Sequence, residues 1–121
     1  MKKILVIDDE PIVRISCERS LANMGYEIKS ASSGKEGIEL LEKEPFNLVL
    51  LDLKMPDMDG IEVLKKIREK WQETKVIMIT GYSTVETAVK TLKLGAFSYI
   101  EKPFTPDTLL EAVKEVFDLP G

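Results

Sequence analysis

The chain has 121 residues, 44% of them hydrophobic, with 21 acidic and 17 basic side chains and a formal net charge of −4, which is the size and make-up of one globular domain able to bury roughly two thirds of its unfolded surface. A single cysteine, Cys17, rules out an internal disulfide, and the absence of histidine removes every histidine nucleophile, base and metal ligand. The mild acidity argues against direct nucleic-acid contact by this domain, and no apolar run reaches the ~20 residues of a membrane helix.

Strand and helix signals alternate five times along the chain. Residues 4–7 (Ile-Leu-Val-Ile) form a continuous apolar run that ends at Asp8, as expected of a strand buried on both faces of a parallel sheet. The run is too short for the apolar core of a secretory signal, so the protein is expected in the cytoplasm. Pro11 suits the first turn of a helix, and Val13, Cys17, Leu21 and Met24 follow at helical spacing, with Gly25 as a left-handed cap. Residues 26–31 read as the second strand. Ser33 and Glu36 make a capping box for a helix carrying Ile38 and Leu41. Residues 46–51 form the third strand, ending at Asp52, and Ile61, Leu64, Ile67 and Trp71 mark one face of the third helix. Residues 76–79 form the fourth strand, ending at Thr80. Ser83 and Glu86 suggest a second capping box, before an apolar face of Val85, Ala88, Val89 and Leu92 that Gly95 terminates. The fifth strand spans residues 97–100. Lys102-Pro103 interrupts the chain, and Thr105 and Pro106 start a last helix whose Leu109, Leu110, Val113, Val116 and Phe117 face inward. This alternation predicts a single α/β domain over residues 1–121, with right-handed crossovers and a doubly wound parallel sheet.

The polar residues fall in a pattern. Asp8 and Asp9 follow the first strand, Asp52 the third, Thr80 the fourth and Lys102 the fifth. Ligands of open α/β sheets bind at that edge, where strand order reverses. In the flavodoxin-like order 2-1-3-4-5 the reversal lies between strands one and three, which carry the aspartates. Three carboxylates converging there would repel, and Mg2+, a hard cation that takes carboxylate and phosphate oxygens, resolves the repulsion. Lys102 offers further neutralisation and a contact for a phosphoryl oxygen, and Thr80 a hydroxyl on the opposite side. Taken singly, each has a plain structural role: an acidic helix start for residues 8–11, a loop aspartate, a strand terminus and a solvated charge. The ordered combination is far more specific than any member.

Five motifs carry a family resemblance over the whole chain: Ile7-Asp8-Asp9-Glu10-Pro11, Asp52 with Met55-Pro56-Asp57-Met58-Asp59-Gly60, Ile79-Thr80-Gly81, Gly95-Ala96 and Lys102-Pro103-Phe104. They resemble the response-regulator receiver domains of two-component systems. The stretches around Thr80-Gly81-Tyr82 and Glu101-Lys102-Pro103 look like receivers of enhancer-binding transcription activators. The resemblance implies that Asp52 is the phosphoacceptor, and that Asp9, Asp52 and the carbonyl of Lys54 ligate Mg2+ directly, with Asp8 acting through water. It implies that Lys102 and Thr80 bind the phosphoryl group, Tyr99 is the aromatic switch, and a cis peptide precedes Pro103. It also implies a sensor histidine kinase as phosphodonor, an output domain or downstream protein as target, and a homodimer through helix four, strand five and helix five as an option.

Lys54 and Tyr82 occupy positions that tune phosphate lifetime in the family; both are bulky, and slow self-dephosphorylation is expected. An aspartate-based phosphohydrolase would place a second acid two residues after its nucleophile, and Asp8 with Glu10 before Pro11 is a poor match. A flavin-binding relative would have a Ser/Thr/Gly phosphate loop in place of the acids. A pseudo-receiver acting only as an interaction module would not need the full acidic set.

Overall fold

Strand β1 (Lys3–Ile7) leads into helix α1 (Pro11–Ala22), and four further strand–helix units follow. They are β2 (Glu27–Ala31) with α2 (Gly34–Lys43), β3 (Leu48–Asp52) with α3 (Gly60–Lys70), β4 (Lys75–Thr80) with α4 (Val85–Lys93), and β5 (Ser98–Glu101) with α5 (Pro106–Phe117). The computed structural model describes residues 2–81 and 84–118. The strands form one parallel sheet in the order β2-β1-β3-β4-β5, the doubly wound flavodoxin-like arrangement expected from the alternation.

The continuous apolar runs are buried on both faces because helices cover both. On one face Leu5, Ile7, Val49, Leu51 and Met78 meet Leu41 of α2 and Val63, Leu64 and Ile67 of α3. On the other, Ile4, Val6, Leu50 and Ile77 meet Cys17 and Leu21 of α1 and Leu109 and Val113 of α5. All five residues of β3 are buried, so this strand is the axis of the core. One close approach demands glycine. A Cβ on Gly60 would stand 2.3 Å from the carbonyl oxygen of Asp52, so only glycine lets α3 begin directly beneath the end of β3.

The helix starts follow local chemistry. Pro11 opens α1, Ser33 accepts from the Glu36 N–H at the start of α2, and Thr105 accepts from the Thr108 N–H at the start of α5. Gly25 and Gly95 adopt positive φ, +85° and +107°, at the ends of α1 and α4.

Three expectations need correction. Met24 is not part of the buried face of α1; the helix ends at Ala22, and the methionine side chain is exposed in the turn. The cap of α4 is Thr84, whose hydroxyl accepts from the Thr87 N–H, so the start lies one residue beyond the expected Ser83 box; Ser83 itself lies outside the described residues. The apolar stripe of α4 does not face the core. Val85 is 84% exposed, and Val89 and Leu92 are also exposed, whereas the residue buried beneath the helix is Thr91. Its hydroxyl donates to the Ala88 carbonyl at 2.9 Å, which satisfies the buried oxygen within the helix and removes the penalty of a polar side chain there.

Candidate functional site

The carboxyl ends of β1, β3 and β5 converge because these strands are held in parallel register. Ile7 pairs with Leu51, Asp52 with Ile79, and Thr80 with Glu101. The next residues, Asp8, Asp52 and Lys102, therefore meet at one edge. Asp8 and Asp52 are almost fully buried there, 1% and 4% exposed. Lys102 Nζ lies 2.9 Å from Asp8 Oδ2, 3.6 Å from Asp52 Oδ1 and 2.7 Å from Glu10 Oε1. Its hydrogen bond goes to Glu10. Beside this group opens a cleft of about 460 Å³, lined by Asp9, Glu10, Asp52, Lys54, Gly81 and Lys102 among others.

Local backbone fixes these positions. The Glu10 N–H donates to Asp8 Oδ1 at 2.9 Å, and Arg14 Nη1 donates to the Asp8 carbonyl at 2.7 Å. The loop after Asp52 is folded back by an antiparallel bridge between Lys54 and Asp59 and by the Gly60 N–H donating to the Leu53 carbonyl at 2.7 Å. Asp57 ties the same loop to α2 by accepting from the N–H groups of Gly34 and Lys35, where a helix start favours a negative charge.

The electrostatics are those of crowded acids. Burial pushes the Asp52 pKa up to about 7, and the neighbouring Asp8 charge adds to the rise, with Lys102 opposing it. Burial also raises Asp8, against the Glu10 N–H and Lys102. Burial works to lower Lys102, but the surrounding Glu10, Asp8 and Asp52 outweigh it and hold the ammonium above its ordinary pKa.

One buried oxygen is left over. Asp8 Oδ2 is ion-paired with the Lys102 ammonium at 2.9 Å and has no further polar partner among the described residues. Oxygens of Asp8, Glu10 and Asp52 all lie within 4.8 Å of one another. A buried carboxylate oxygen met only by one ammonium, among further acids and beside an open cleft, fits a hard divalent cation with oxygen ligands.

The structure brings Asp8, Asp9, Asp52, Lys54 and Lys102 to this one cleft edge, with Asp9 on the cleft wall, where it adds to the rise of the Asp52 pKa. Thr80 is buried at the end of β4, and its carbonyl accepts from the Lys102 N–H at 2.9 Å. Tyr99 is half-buried on β5 and packs against the core on the α2–α3 side. The Lys102–Pro103 peptide is cis. Tyr82 lies outside the described residues. Sequence reasoning gave no role to Glu10, which joins the buried acids in space; its place directly after the aspartate pair was the available signal.

The chain matches the family model "Response regulator receiver domain" over residues 4–114. It is 40% identical to the response regulator protein PilR of Pseudomonas aeruginosa, over 93% of this chain and 25% of that protein. It is 36% identical to the sporulation initiation phosphotransferase F of Bacillus subtilis, over 98% of this chain and 95% of that one. Among the first three curated relatives the chain spans a quarter to a half of their length. Among solved structures it superposes on a receiver domain from Methanospirillum hungatei with a TM-score of 0.93 and 42% identity, covering 98% and 94% of the two chains. The response regulator TrrA of Thermotoga maritima, solved in complex with Mg2+ and a beryllium fluoride, superposes with a TM-score of 0.86 and 38% identity, covering 96% and 99%.

Proposed function

Because this chain belongs to the response regulator receiver family, we propose that it is a phosphoacceptor switch in which Asp52 takes a phosphoryl group from the phosphohistidine of a sensor histidine kinase. The observation that carries this reading is Asp52 itself: a carboxylate at the end of the central strand, open to a cleft, beside a lysine and a second buried acid. TrrA, a similar response regulator solved with Mg2+ and a beryllium fluoride, supports it.

An Asp52 carboxylate oxygen attacks the phosphorus in line as the phosphorus–nitrogen bond to the donor imidazole breaks. Lys102 receives negative charge on the transferred oxygens, so catalysis is mainly positioning and electrostatics. Asp8, Asp9, Asp52 and the Lys54 carbonyl are the groups proposed to hold Mg2+. Bound Mg2+ would supply charge neutralisation where carboxylates and phosphoryl oxygens crowd. Lys54 lines the cleft, where its bulk shields the phosphate from water and lengthens its life. Thr80 turns toward the new phosphate, Tyr99 follows into the vacated space, and the face formed by α4, β5 and α5 changes. That local charge change biases a two-state element read by an output domain, a partner or a second copy. On α4, the apolar side chains of Val85, Val89 and Leu92 are exposed.

The test is labelling by acetyl phosphate with Mg2+. Wild-type protein is expected to take up about one hydroxylamine-sensitive phosphate per chain and Asp52→Asn none. Normal labelling of the variant refutes the assignment.

A further inference from the structure

We propose that Glu10 is a latch on Lys102: it holds the ammonium in the resting protein and must release it before the lysine can serve a phosphoryl group. This rests on the reading of Asp52 as phosphoacceptor. Three carboxylates surround Lys102 Nζ, and the hydrogen bond goes to Glu10 Oε1 at 2.7 Å. Lys102 Nζ lies 2.7 Å from Glu10 Oε1 but 3.6 Å from Asp52 Oδ1, beyond hydrogen-bond range, so a phosphoryl oxygen on Asp52 has to draw the ammonium across, away from Glu10.

The three contacts are not equally easy to give up. Asp8 is buried and fixed by the Glu10 N–H, so its carboxylate has nowhere to turn. Asp52 is the carboxylate that takes the phosphate. Glu10 is the exposed one, 54% accessible, on a side chain that can rotate into water at little cost. It also stands on the boundary of two clefts, lining both the acidic one and a neighbouring groove with Ile12, Ser16, Pro103 and Phe104. Glu10 is therefore the group that moves, and its release sets how readily Lys102 turns to Asp52. Glu10 is a positioning residue in this scheme: it acts on the phosphoryl group through Lys102.

The test separates reach from charge. Glu10→Gln removes the charge, whereas Glu10→Asp keeps it on a side chain one carbon shorter, about 1.5 Å, which takes the carboxylate out of hydrogen-bond range. At saturating Mg2+ both variants are expected to take phosphate from acetyl phosphate about two- to fivefold faster than wild type, the factor one exposed ion pair supports. In the metal-free protein the Lys102 ammonium protons, followed by NMR, are expected to exchange with water faster in both. A fast Glu10→Gln with a Glu10→Asp that behaves as wild type means that charge alone matters and overturns the latch. So does wild-type labelling by both variants, or unchanged ammonium exchange in both. Asp52→Asn runs alongside: silence there with unaltered Glu10 variants removes the latch and keeps the phosphoacceptor, while labelling of Asp52→Asn removes both.

Discussion

Asp52 has a folded-state pKa of about 7, against 3.8 for an ordinary aspartate, chiefly because it is buried. The folded protein therefore holds a proton that the unfolded chain has released, and folding stability falls as pH rises from about 4 to about 7, then levels. Asp52→Asn removes this titration. Without divalent cations the variant is expected to melt several degrees above wild type at pH 8, and the gap is expected to close near pH 3.5. Adding Mg2+ is expected to raise the wild-type melting temperature and leave the variant nearly unmoved, since a ligand stabilises only the state that binds it. Thermal melts followed by circular dichroism at the two pH values measure both effects. Cys17 is strongly shifted as well; burial, with the Asp8 charge adding, pushes its thiol up to about 12, so it packs as a small apolar side chain rather than reacting.

At the scale of elements, α4 differs from its neighbours. Helix α3 buries Gly60, Val63, Leu64 and Ile67 and α5 buries three apolar residues, while α4 buries Thr91. With so little apolar burial, α4 is expected to open locally more often, and its amides to exchange about tenfold faster than those of α3 and α5 in native-state hydrogen exchange. Equal protection across the three helices would show that α4 is held as tightly as the rest. The same helix marks where the sequence stops being informative. The strands were legible because a run such as residues 48–51 can hide both faces only inside a covered sheet, and their ends then placed Asp8, Asp52 and Lys102 together. The spacing of Val85, Val89 and Leu92 says that they share a face, but not that the fold leaves this face uncovered. Nor does the sequence show Glu10 reaching Lys102 across 92 positions, because that contact depends on the rotamers of two long side chains.

For the whole molecule, the central strand joins the two halves of the core. Leu50 points into the α1–α5 side and Leu51 into the α2–α3 side, both fully buried. Leu50→Ala is expected to cost about 2–5 kcal/mol, read from the urea midpoint with an unchanged slope, because a cavity there has no solvent path along which to collapse. The sheet edge adds a constraint of another kind. The Lys102 amide is bonded to the Thr80 carbonyl, so the strand end that carries the lysine is riveted in the main chain to the strand end that carries the threonine. Parting these two strand ends means giving up that bond. Turning a side chain about its own bonds asks for no such loss and leaves the frame of the sheet as it was.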